Sequence, residues 1–121
     1  MPTRALRGAI VAAENSETAI RAAARELLTT IVQANALEPE AIISVIFTLT
    51  PDLTAAYPTR AAREMGWTHV ALLDAQQPAV KGDLARCLRV MIHCETSLTP
   101  IELKHIYLGE AKKLRPDLAE G

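Results

Sequence analysis

Aromatic residues are scarce in this sequence: its 121 positions hold one Trp, two Tyr and one Phe, although half of them are hydrophobic. A core built from it is therefore aliphatic. Neither sign of charge is in excess, the formal net charge being −1. That removes the overall pull toward nucleic acid or a membrane surface that a basic domain has. No apolar run reaches the ~20 residues of a bilayer-spanning helix. Arginines interrupt MPTRALRGAI, where a secretory leader carries its apolar stretch. Cysteine is limited to Cys87 and Cys94. They lie at odd separation on one predicted strand, point to opposite faces and cannot pair locally. Reduced thiols and a cytoplasmic location are the expectation. Repeats, low-complexity tracts and linkers rich in Gly or Ser are also lacking, so a single domain over 1–121 is expected.

The familiar motifs of catalysis are missing as well. There is no GxSxG, P-loop or GxGxxG. His93, Cys94 and His105 have no zinc-ligand spacing, so no metal site is expected. No nucleophile stands beside an evident base, which argues against acyl transfer and other covalent catalysis.

What is there reads as alternating strands and helices. Thr3 to Glu14 is an opening strand, with Leu6, Gly8 and Ile10 on one face and Ala5, Arg7, Ala9 and Val11 on the other. Asn15 or Ser16 caps a helix whose stripe is Ile20, Ala24, Leu27, Leu28 and Ile31, fading near Asn35. Ala41 to Thr50 is a continuous apolar strand, of the kind covered on both faces. Pro58 opens a short helix that Gly66 ends. His69 to Asp74 and Ala85 to Thr96 are further strands. Thr99 and Pro100 start another helix; His105 to Leu108 fits helix or strand, and Pro116 stops any helix near Arg115. The order predicts an α/β (α+β) sheet protein with one main helix layer. One long helix cannot cover both faces of such a sheet, which points to a homo-oligomer.

Two arginines stand where charge is expensive. Arg89 lies among apolar residues on both faces of CLRVMIHC, and Arg7 lies between Ala5 and Ala9. A guanidinium cannot discharge itself, so each needs an acceptor. That acceptor is either a carboxylate of the protein, such as Glu95, Glu102 or Asp74, or an anionic ligand. A carboxylate suits the bidentate grip of arginine. Arg60 and Glu64 are spaced for an ordinary helical ion pair, worth about 0.2–0.5 kcal/mol.

The segments LRGAI (6–10), TPDLTAAYP (50–58), AAREMGW (61–67), LARCLRVMIH (84–93), HIYLGEA (105–111) and LRPDL (114–118) resemble the AroH class of monofunctional chorismate mutases. The likeness runs in order over nearly the whole chain. It implies a homotrimeric pseudo-α/β barrel with a mixed sheet, one long helix per subunit, and active sites in the clefts between subunits. It implies conversion of chorismate to prephenate by a Claisen rearrangement, without metal, cofactor or covalent intermediate.

The resemblance also assigns residues. Arg89 matches the arginine at the ether oxygen of chorismate. Arg7 matches a substrate-gripping arginine, and Tyr107 a tyrosine whose hydroxyl meets a substrate carboxylate. Tyr57 stands where the family usually has Phe. Arg60 and Arg63 match basic residues near the cleft. Leu114 and Arg115 match a mobile C-terminal segment, here 113–121, that closes over ligand. The stretch Leu73, Asp74, Ala75, Gln76, Gln77 departs from the pattern. Asp74 replaces a small polar residue, and Gln77 replaces a Glu thought to meet the ring hydroxyl. Asp74 is then a candidate for the missing carboxylate, or for the internal partner of Arg7 or Arg89. A non-catalytic or weakly active anion-binding protein on the same trimer is the alternative that Gln77 raises. An enamine/imine deaminase of the RidA type shares the trimeric architecture but none of these segments.

Overall fold

The computed structural model describes residues 1–117. Strand β1 (Thr3–Val11) leads into helix α1 (Glu17–Ala34), and a short 3₁₀ turn (Pro39–Ala41) leads into β2 (Ile42–Leu49). Helix α2 (Thr59–Glu64), β3 (Ala71–Gln76), β4 (Cys87–Glu95), β5 (Ile106–Tyr107) and a 3₁₀ helix (Gly109–Leu114) follow. The strands form one mixed sheet in the order β3-β2-β4-β1-β5. Strand β4 is antiparallel to both β1 and β2, while β3 runs parallel to β2 and β5 parallel to β1.

Helix α1 starts where Ser16 accepts the Ala19 N–H, as an N-cap should. Its stripe of Ile20, Leu27, Leu28 and Ile31 is fully buried. It covers one face of the sheet, where Leu6, Ile10, Val45, Phe47, Leu88 and Ile92 complete the aliphatic core. Among the described residues no comparable helix covers the opposite face. On that face Met91 is 39% and Leu73 59% exposed, and Arg7, Ile46, Thr48 and Arg89 share it by register.

The helix expected from Thr99 does not form. Glu102 and Leu103 donate to the Thr99 carbonyl (3.0 and 3.2 Å), and the chain then extends. The reason lies 69 residues upstream. Buried Asn35 accepts from Lys104 N (2.8 Å) and donates to Lys104 O (3.0 Å), so both backbone groups of Lys104 leave the helical ladder. Within His105 to Leu108 the strand reading holds at Ile106 and Tyr107, which pair with Gly8 and Ala9 of β1. Gly8 makes that pairing feasible. A Cβ there would lie 2.7 Å from the Ile106 carbonyl and about 3 Å from Leu27 and Ile31. Only glycine lets β5 and α1 approach β1 this closely.

Candidate active site

Both anomalous arginines face the uncovered side of the sheet. Arg89 pairs across the ladder with Ala9, and Arg7 with Met91, so the guanidiniums are diagonal neighbours. They line a cavity of about 410 Å³ together with Gln77, Tyr107, Arg115, Thr48 and Met91. Among the described residues, neither arginine has a carboxylate within ion-pair distance. The Arg89 Nε is buried without a hydrogen-bond partner, and so is the Gln77 Oε1. A buried polar atom left unpaired costs about 1–3 kcal/mol. Two of them on residues that line one cavity mark a place shaped for a ligand rather than for the resting chain.

The internal partners considered for these arginines lie elsewhere. Asp74 accepts from the backbone N–H (3.1 Å) and the hydroxyl of Thr59, on the helix side of β3. It ties the first turn of α2 to the sheet. Glu102 accepts from Thr99 N (2.9 Å). Glu95 sits exposed at the end of β4.

Tyr107 is placed by β5. It is 9% exposed and packs with Ala9, Cys87 and Ala111, with Leu114 against them. Strand β5 is anchored by His105, whose Nδ1 accepts the Arg7 backbone N–H at 3.0 Å. That bond needs the neutral ring. Burial, then the charges of Arg7 and Arg115, lower the His105 pKa from 6.5. The folded chain therefore binds fewer protons here than the unfolded chain. The contribution to stability is complete above about pH 6.5 and is lost as the pH falls through the lower folded value. The expected outcome is a melting temperature that declines as the pH falls below about 6.5. In His105→Gln, whose amide oxygen still accepts, that slope flattens. An unchanged slope contradicts the anchor.

Arg115 reaches the same cavity from the end of the 3₁₀ helix, its guanidinium held by Asp117 at 2.8 and 3.1 Å. The Cys87 thiol is buried beside Arg89. Burial raises its pKa more than the guanidinium lowers it. It is a protonated thiol at neutral pH and a poor nucleophile.

The remaining expected residues gather elsewhere. Tyr57, Arg60, Arg63, Asp74, Ala75 and Gln76 line a second cavity of about 530 Å³, together with Glu17. Tyr57 is 71% exposed there. The helical Arg60–Glu64 pair is not formed. Both residues reach α1 instead, Arg60 to Glu17 at 3.9 Å and Glu64 to Arg21 at 3.5 Å. Leu73 projects from the uncovered face and lines neither cavity. The expected site is thus divided between two separate surfaces of one chain.

Among the described residues no cluster of three or more His, Cys, Asp or Glu is arranged to hold a metal. His93 meets Ser44 at 3.1 Å and His69 meets the Pro39 carbonyl at 2.7 Å. Likewise no described helix is long and apolar enough to cross a membrane. Sequence reasoning missed Asp83, which holds the Gln77 amide. It left no signal beyond an acidic residue after Gly82 in a turn.

Three guanidiniums, a phenol hydroxyl and one neutral acceptor therefore converge, with no activated nucleophile. Such a set binds and shapes a small polyanion. The chain matches the family described as chorismate mutase type I over residues 3–118. It is 44% identical over 116 residues to Chorismate mutase AroH of Thermus thermophilus, across 95% of each chain. It is 35% identical over 120 residues to Chorismate mutase AroH of Bacillus subtilis (strain 168), across 98% of this chain and 94% of that one. A solved chorismate mutase from Clostridium thermocellum superposes with a TM-score of 0.89 at 44% identity, covering 91% of this chain and 98% of the other. At this similarity, and over nearly its full length, the chain belongs to the type I chorismate mutase family.

Proposed function

We propose that this chain is a cytoplasmic homotrimeric chorismate mutase of phenylalanine and tyrosine biosynthesis, acting by conformational restriction and electrostatic stabilisation. The observation that carries the mechanism is the unpartnered, buried Nε of Arg89 in a cavity shared with Arg7. Chorismate is a dianion whose ether C–O bond breaks as a new C–C bond forms. Arg7, Tyr107 and Arg115 grip its carboxylates and hold the compact conformer, converting a rare geometry into the bound one. Arg89 faces the ether oxygen. Negative charge develops there as the bond breaks, and a fixed cation in a desolvated site stabilises it. Gln77 accepts from the ring hydroxyl through Oε1. No proton is transferred and no cofactor takes part.

The two cavities are half-sites. In this reading the Arg89 cavity of one subunit meets the Tyr57–Arg63 surface of its neighbour, and the neighbour covers the exposed Met91 and Leu73. The whole of 1–121 is one domain. The segment 113–121 closes over bound substrate; its residues 118–121 lie outside the described part. The test is joint: sedimentation of the purified protein at trimer mass, and prephenate formation from chorismate by that same species. A monomer that turns over at full rate refutes the shared site. A trimer that binds without turnover supports the non-catalytic alternative.

A further inference from the structure

Gln77 is held by one side chain. Its Nε2 donates to Oδ2 of Asp83 at 3.2 Å, across the turn that follows β3. Gly82, at φ +89°, lets that turn fold back, and Asp83 N closes on the Val80 carbonyl at 3.2 Å. Gln77 is 8% exposed. It lines the Arg89 cavity and also a neighbouring hollow lined by Asp83.

The two ends of a glutamine amide are nearly the same shape and opposite in polarity. A carboxylate only accepts. Beside Asp83 the amide must therefore present its NH₂ end, because the reverse orientation sets two acceptors at hydrogen-bond distance. The oxygen is then the end left over, buried and unpartnered. A charge-assisted bond at the nitrogen also polarises the amide and makes its oxygen a stronger acceptor. Asp83 is felt at the Arg89 strand as well, where its charge opposes that of Arg89 at the Cys87 thiol.

We infer that Asp83 is a positioning residue for the reaction: it fixes Gln77 as an acceptor toward the substrate's ring hydroxyl and, by polarising the amide, strengthens that acceptor in place of the charge Gln77 lacks. This rests on the chorismate mutase reading. The test pairs Asp83→Asn with Gln77→Glu. Asp83→Asn offers both a donor and an acceptor and releases the amide to either orientation. Its kcat falls roughly tenfold, as when an orienting outer partner is lost, and KM moves less than about twofold. Gln77→Glu alone sets two carboxylates together and lowers kcat by a similar factor. The double variant exchanges the roles, the new amide donating to the new carboxylate. Its kcat returns to within about threefold of the parent, a strong non-additivity.

A purely structural role for Asp83 in the turn predicts losses that add. The side-chain amide NMR signals of Gln77, identified by their loss in Gln77→Glu, give a readout without turnover. They shift in Asp83→Asn while the backbone amides of the turn hold. Unmoved Gln77 signals, an unchanged kcat in Asp83→Asn, or a double variant no better than the worse single one overturns the inference. Failure of the parent protein to convert chorismate sinks the functional reading instead, and the amide signals still decide whether Asp83 orients Gln77.

Discussion

Arg89→Ala lowers kcat by about 10²–10³-fold and changes KM far less, a loss of roughly 3–4 kcal/mol of transition-state stabilisation. The asymmetry follows from the substrate. The ether oxygen is neutral in bound chorismate and gains charge only as the C–O bond breaks, so the interaction with a cation grows along the reaction. The cation is in place beforehand, on a central strand between β1 and β2. It reorganises little, because its Nε already lacks a partner among the described residues. Removing an orphaned donor also relieves a cost of about 1–3 kcal/mol to the fold. The melting temperature of Arg89→Ala therefore holds or rises while the rate collapses. Steady-state kinetics and a thermal melt on one preparation check both halves. A parallel fall in stability would mean that Arg89 serves the core.

Arg7→Ala gives the opposite kinetic signature. Its expected partner is a substrate carboxylate, which is fully charged in both the ground and transition states. Its removal weakens both nearly alike, so KM rises and kcat moves little. A hydrogen bond to a charged group contributes about 1.5–3 kcal/mol, which sets the KM increase at roughly 10–100-fold. Arg7→Lys keeps the charge without the bidentate fork and recovers part of that loss. The measurement is initial rates over a wide chorismate range. A variant whose kcat falls as far as that of Arg89→Ala would place Arg7 at the reacting bond. The contrast between the two arginines separates gripping from catalysis within one cavity.

Much of this is legible in the amino-acid sequence. Helix α1 announces itself through Ile20, Leu27, Leu28 and Ile31, because a 3.6-residue period records burial on one face. Arg89 and Arg7 stand out because a permanent charge among apolar residues demands an acceptor, and the uncovered face follows from one helix serving a two-faced sheet. The C-terminal quarter is harder to read. Helix signals at Thr99 and Pro100 are genuine locally, but Asn35 captures both backbone groups of Lys104 from far upstream. Asp74 is also illegible. Its alternation on β3 sends it to the helix side with Thr59, while Gln77, past the strand end, lines the Arg89 cavity. Local patterns encode elements; which side chain meets which across a turn or a crossover is decided by tertiary contacts.

The most direct measurement follows chorismate loss in the ultraviolet, with the product identified by NMR, for the parent protein and Arg89→Ala side by side at saturating substrate. The predicted result is prephenate as sole product from the parent with no cofactor added, and a rate about 10²–10³-fold lower from the variant. Saturable binding of chorismate without prephenate, or equal rates from the two proteins, would contradict it.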